Sequence, residues 1–181
     1  ASVTYPPNGL PLLIYGNSGV GKSFFAKIIY EYAIYEKVIF QEAPFVVLNC
    51  SDYANNKELL SSVLFGYEKG AFSGASEAKI GLVEEANGGY LFLDEVHNLS
   101  PENQEKLFLL LDESKFRPVG ANAKWRHSDV RLIMATTENP DSTLLTTFKR
   151  RIPMFIKLPD FSERLYNERE EIVMNAFINE Q

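Results

Sequence analysis

A chain of 181 residues that is 45% hydrophobic, 23% charged and 13% aromatic can bury a core of its own and is too apolar to be disordered. Its 18 Lys and Arg against 24 Asp and Glu leave a net charge of -6, which excludes a surface built to coat nucleic acid or an anionic membrane. The single cysteine, Cys50, excludes an intrachain disulfide and an all-cysteine metal site, and points to a reducing compartment, the cytoplasm.

No charged side chain precedes Lys22, but Pro6, Pro7 and Pro11 and several glycines interrupt that stretch. No basic start leads into an apolar run long enough for a secretory signal or a membrane-spanning helix. The chain opens on an extended Pro-rich segment, Tyr5 to Asn8, and stops inside a helical pattern, as expected of a piece of a longer protein.

Leu10 to Tyr15 is a short apolar run between Gly9 and Gly16, the pattern of a strand buried on both faces. From Lys22, the residues Phe25, Ile28, Ile29, Tyr32 and Tyr35 recur at helical spacing. Phe45 to Asn49 reads as a second strand and Asp52 to Phe65 as a second helix. Glycines interrupt the chain from Gly66 to Gly74, and a helix is expected to resume near Lys79. Tyr90 to Leu93 is a third strand, ended by two acids. Ser100 followed by Pro101 is an N-cap with proline at the first helical position, opening a helix through Leu107, Leu110 and Leu111. The turn-rich stretch from Pro118 to Asp129 has the look of a hairpin, and Val130 to Thr136 of a fourth strand. A short helix at Leu144 to Phe148, a strand at Met154 to Leu158 and a last helix capped by Ser162 complete the chain. Strands alternating with helices predict one parallel sheet covered by helices on both faces, a three-layer α/β/α core.

Gly16-Asn17-Ser18-Gly19-Val20-Gly21-Lys22-Ser23 fits G-x-x-x-x-G-K-[ST], placed after a buried strand and before a helix. In that setting the loop N–H groups and the helix N-terminus form an anion nest for the phosphates of a nucleotide, which the resemblance described below implies is ATP. Lys22 reaches the β- and γ-phosphates and the Ser23 hydroxyl ligates Mg2+. Leu91-Phe92-Leu93-Asp94-Glu95 ends a strand in two carboxylates. Asp94 is the second magnesium partner, and Glu95 is placed to orient and deprotonate the attacking water. Asn49, at the end of the second strand, either holds Glu95 back from the water or satisfies local backbone. Thr136 and Thr137, ending the fourth strand, either sense the γ-phosphate or satisfy a turn.

Gly70-Ala71-Phe72-Ser73-Gly74-Ala75, within Leu64 to Ala75, and the run Gly81 to Gly89 leading into Leu91 to Val96 resemble the central AAA+ ATPase domain of sigma-54-dependent transcriptional activators. The likeness extends from the phosphate loop to about Arg164. It implies a P-loop AAA+ core over residues 1–181, here without its helical lid and flanking DNA-binding and regulatory domains, and a ring that is usually hexameric. Hydrolysis in such a ring drives the 70–75 hexapeptide against sigma-54 and opens the promoter complex; DNA is contacted only through a domain outside this chain. Phe72 between small residues suits a mobile grip on a partner. Ser73 stands where the family usually has Thr. The resemblance also gives Asn49 the role of restraining the catalytic glutamate, and makes residues 118–129 a second loop supporting the first.

Two departures are visible. Met134-Ala135-Thr136-Thr137 replaces the family's A-A-T-N, so Thr137 stands in place of the sensor asparagine. Thr143 to Arg151 retains only the second of two arginines that reach into a neighbouring subunit, matched by Arg150 or by Arg151. An arginine supplied in trans stabilises charge on the transferred phosphoryl group. These departures, with Tyr53-Ala54-Asn55-Asn56 and Arg150 to Met154, are similar to the subgroup typified by the levanase operon regulator LevR. The competing reading is a nucleotide-gated binding or oligomerisation switch with little turnover. The acidic composition and the hexapeptide disfavour clamp loading or DNA translocation. His97 and His127 lack partners at metal-ligand spacing, so turn or surface roles are expected. Trp125 is expected to pack, and Cys50 to be an inert thiol.

Overall fold

The computed structural model describes residues 10–179, so the Pro-rich Tyr5 to Asn8 segment and the last two residues lie outside the described residues. In chain order the elements are β1 (Leu12–Tyr15), α1 (Lys22–Tyr35), β2 (Phe45–Asn49), α2 (Lys57–Phe65), α3 (Leu82–Glu85), β3 (Tyr90–Asp94) and α4 (Pro101–Glu113). Then come β4 (Lys115–Phe116), β5 (Arg126–His127), β6 (Arg131–Thr136), α5 (Pro140–Thr143), α6 (Thr146–Lys149), β7 (Met154–Lys157) and α7 (Tyr166–Asn179). Short 3-10 turns occupy Cys50–Tyr53, Val96–Asn98 and Phe161–Glu163.

Five strands form one sheet in the order β2-β3-β6-β1-β7, every neighbouring pair parallel. Side chains alternate across it with period two. Leu13, Leu91, Leu93, Leu132 and Met134 face a core shared with Leu60, Leu64, Val83, Leu107 and Phe148, which belong to α2, α3, α4 and α6. Leu12, Ile14, Tyr90, Phe92, Ile133 and Ala135 face the other way, onto Ala26, Ile29 and Ala33 of α1. The expected three-layer α/β fold is thus formed. The chain leaves β1 for the distant edge strand β2 and returns through β3 and β6 to lie beside β1, so a crevice opens where the carboxyl ends of β1, β6 and β3 meet.

Four expected elements shift, each for a local reason. The helix from Asp52 divides into a 3-10 turn and α2, because the Asn56 side chain accepts from Leu59 N–H at 3.0 Å and caps a fresh helix start. Lys79 is not helical: its N–H and C=O pair with Tyr67 at 2.9 Å each, closing the base of the glycine-rich segment, and α3 starts at Leu82. Around Leu144 two short helices stand in place of one, with Leu144 buried and Leu145 N–H donating to Gln104 Oε1 at 2.8 Å. Asp160, not Ser162, caps the turn at Phe161 through a capping box with Glu163, and α7 begins at Tyr166. The hairpin-like stretch is closed by antiparallel pairing of Lys115 with His127 and Phe116 with Arg126.

Candidate nucleotide site and partner loop

The glycine-rich loop turns directly off β1. Gly16 approaches its neighbour so closely that a Cβ there would sit 2.6 Å from the Leu158 carbonyl oxygen, which fixes glycine at that position. The loop is held from outside by Asn17 Nδ2, which donates to both Asp160 carboxylate oxygens (2.9 and 2.7 Å), and by Arg164 Nη2, which donates to Val20 O at 2.8 Å. Lys22, 6% exposed, folds back over the loop and donates to Gly16 O (2.9 Å) and Asn17 O (3.0 Å). Gly19 and Ser18 are exposed in the turn. Helices α2 and α4 are capped by the side chains of Asn56 and Ser100, whereas α1 starts with no side-chain cap and no acid in its first turn. Its first N–H groups and positive end are therefore left for an external anion, as a phosphate requires.

The end of β3 brings the acids to this loop. Ser23 Oγ donates to Asp94 Oδ2 at 3.3 Å, so a hydroxyl and a carboxylate lie close enough to share one divalent cation, and the residues fit Mg2+ bound with a nucleotide. Asp94 Oδ1 accepts from the N–H of Glu95, whose backbone is left-handed (φ 51, ψ 49). A non-glycine residue there carries local strain, which is concentrated at functional positions. The Glu95 carboxylate is held by one oxygen: Oε2 accepts from Thr137 Oγ1 at 2.8 Å and Thr137 N–H at 3.2 Å, and lies 3.3 Å from His97 Nδ1.

Thr137 is thus brought to the glutamate by β6. Asn49 pairs in register with Asp94, but its Oδ1 accepts from Ser51 N–H (3.0 Å) and Ser51 Oγ (2.9 Å), capping the turn after β2. His97, expected in a turn or at the surface, lies in the turn after Glu95, with Nδ1 3.3 Å from its carboxylate; two residues past a strand-ending acid is the one sequence signal for that contact.

The adjacent arginines part company. Arg151 is bidentate on Asp112 (2.9 and 3.0 Å) and its guanidinium stacks 4.4 Å from the Phe108 ring centre, both on α4. Arg150, at the end of α6, is exposed and has no ion pair or side-chain hydrogen bond among the described residues.

The hexapeptide sits on a rigid stem. Gly66 has φ 74, and a Cβ on it would meet Lys79 O at 2.4 Å, so only glycine lets the chain turn here beside the returning strand. Tyr67 bridges both Lys79 and Val119, tying residues 66–81 to the loop before β5. Arg126 adds a double ion pair to Glu68 (2.9 Å) and Glu84 (2.6 Å), with the carboxylates holding its charge and raising its pKa. At the tip, Gly70 N–H donates to Ala75 O and Ala75 N–H to Phe72 O, with Ala71, Ser73 and Gly74 completing a small-residue turn. Phe72 is 46% exposed and its ring centre lies 4.9 Å from that of Tyr67. Trp125 is half exposed under the Arg117 guanidinium, and His127 lies exposed on β5. Cys50 is buried at the foot of the acids; burial, with Asp94, Glu95 and Asp52 adding, pushes its thiol up to about 12. Among the described residues no helix is long and apolar enough to cross a membrane.

The chain is also similar to known proteins. A model of the sigma-54 interaction domain matches residues 3–162. The chain is 54% identical over 95% of its length to the transcriptional regulatory protein LevR of Bacillus subtilis, and 52% identical over 96% to the transcriptional regulatory protein DagR of Salmonella typhimurium. It spans 18% of each of those two proteins. Among solved structures, NtrX from Brucella abortus in complex with ADP matches 87% of this chain and 34% of its own at a TM-score of 0.72 and 29% identity. From the matched domain model and these relatives, the chain belongs to the sigma-54 interaction domain family.

Proposed function

We propose that this domain hydrolyses ATP to ADP and phosphate, and that turnover works the 70–75 hexapeptide against sigma-54 to open a promoter complex. The observation that carries the reading is the convergence of Lys22, Ser23, Asp94 and a clamped Glu95 at one sheet edge. The loop from Gly16 to Ser23 takes the phosphates through its main-chain N–H groups, with Asn17, Ser18, Gly19, Val20 and Gly21 as the cradle and Lys22 swinging from Gly16 O to the phosphate oxygens. Ser23 and Asp94 would hold Mg2+, which would supply positive charge against the charge developing on the transferred phosphoryl group. Glu95, anchored through Oε2, keeps Oε1 to orient and deprotonate water. Thr137 supplies the restraint on Glu95 that the resemblance gives to Asn49, and Asn49 stands across the ladder from Asp94 to shape the same edge.

Arg150 is the arginine that completes a neighbouring copy's site, because Arg151 is already committed to Asp112 within its own chain. The active form is therefore an oligomeric ring, in the cytoplasm, with DNA contacted through a domain outside this chain. Sigma-54 retention by the full-length regulator, measured without nucleotide, with ADP, and with an ADP metal-fluoride mimic of the transition state, tests the reading. Retention with the mimic alone, lost in Phe72→Ala, is expected. Retention in no state by a protein that still binds nucleotide and assembles would leave a nucleotide-gated switch in its place.

A further inference from the structure

The contacts around His97 form a short logical chain. Asn98 Nδ2 lies 3.1 Å from the main-chain oxygen of Glu95, a group that can only accept, so the Asn98 amide must present its NH2 there. The same NH2 lies 3.1 Å from His97 Nε2. A donor facing Nε2 requires a bare lone pair on that nitrogen, which puts the proton of the neutral imidazole on Nδ1. That Nδ1–H bonds Thr136 Oγ1 at 3.1 Å, and Glu95 Oε2 lies 3.3 Å from the same nitrogen. Thr136 Oγ1 also accepts from Glu138 N–H at 3.1 Å, which fixes the hydroxyl against the chain just beyond β6. The pocket is half-buried, with the His97 and Glu95 side chains 23% and 22% exposed. Solvent does not compete freely for these bonds there.

We propose that His97, with its tautomer set by Asn98, is a positioning residue for Glu95: anchored through Nδ1–H on Thr136, the ring edge lies against Oε2 and, with the two Thr137 donors, keeps that oxygen in place so that Oε1 faces the water. The proposal rests on the reading of Glu95 as the base. Two donors on one carboxylate oxygen, with the imidazole edge set against it, restrict rotation about the terminal bonds of the glutamate, and a base must be held within hydrogen-bond reach of its proton to act. Among the described residues no hydrogen bond or ion pair joins His97 to the glycine-rich loop or the Ser23–Asp94 pair, so it acts on turnover and not on nucleotide capture.

The test compares His97→Asn, His97→Gln and His97→Ala in the full-length regulator, with kcat, KM for ATP and nucleotide affinity measured separately. The amide of Asn can place its NH2 where Nδ1 stands, whereas that of Gln places it nearer Nε2. His97→Ala is expected to lower kcat on the order of tenfold, a part of the 10²–10⁴-fold that a general base supplies, with KM and affinity held. His97→Asn should recover most of that loss and His97→Gln should not. Asn98→Asp, which offers Nε2 an acceptor and so draws the proton away from Nδ1, should fall with His97→Ala. Equal turnover in all three His97 variants, or a loss carried by KM, overturns the proposal. If His97→Ala does not fold, as judged by melting, the contrast between Asn and Gln decides alone. Glu95→Gln run in parallel separates the two levels: retained turnover there sinks the base itself, while loss there with His97→Ala unaffected sinks only the positioning role.

Discussion

The carboxyl edge of the sheet and the hexapeptide loop are built on opposite plans. At the edge, polar side chains are tied to residues far away in sequence: Asn17 to Asp160, Ser23 to Asp94, Thr137 to Glu95, Arg151 to Asp112. In the 66–81 loop the long-range bonds gather at the stem, in the main-chain pairing of Tyr67 and the Arg126–Glu68 ion pair, and the tip carries Phe72 on small residues with half its surface open. Chemistry on a phosphate demands groups fixed to a fraction of an ångström, which only convergent long-range bonds provide. A grip that must change shape with each cycle needs a firm base and a free end.

The contrast within the edge is sharpest at the two arginines, where the largest effect is expected. Arg150→Ala should cut ATP turnover by about 10³–10⁵-fold, the range for an arginine acting on a phosphoryl group from outside its site, with nucleotide binding retained. Arg151→Ala should lower the melting temperature slightly and turnover far less, because it loses an ion pair and a stack on α4. Steady-state turnover of the assembled protein measures both, and a reversed order would show that the partner of Asp112 is the one released on assembly. Mixing Arg150→Ala with Glu95→Gln chains should restore part of the activity, since each then repairs the other's defect across an interface.

At the loop stem, Gly66→Ala should destabilise the domain by about 1–3 kcal/mol through its positive φ alone, with the contact to Lys79 O adding to it. Chemical denaturation reads that loss; a neutral result would make the stem as tolerant as the tip. Phe72→Ala, in the same loop, should cost only about 1 kcal/mol, the worth of its ring contact with Tyr67, while removing sigma-54 capture. The smallest effect belongs to Cys50. With its thiol pushed up to about 12, the reactive thiolate is scarce below that pH, so iodoacetamide at pH 8 should leave native protein unmodified and label it on unfolding. Labelling of the native state would show that the ground beneath the acids opens.

Much of this architecture is legible in the residues. Short apolar runs ending in Gly16 and in Asp94-Glu95 announce buried parallel strands with a site at their ends, because only a strand covered on both faces is apolar throughout. The failures are instructive in the same terms. Asp52 to Phe65 is helical by composition, yet Asn56 ends one turn and starts another through its own side chain. Lys79 has helical neighbours in sequence but is claimed by Tyr67, a pairing that no local pattern encodes.

The phosphate loop, the acid pair and the hexapeptide are determined by the sequence itself, since each works through backbone conformation and residue type within a few positions. Which arginine is left free, that Glu95 is held by Thr137 while Asn49 caps its own turn, and that His97 comes to lie against Glu95 are decided by the tertiary structure alone. Each depends on where β6, α4 and the turn after β3 come together. Those distances follow from the crossover order of the sheet, not from spacing along the chain.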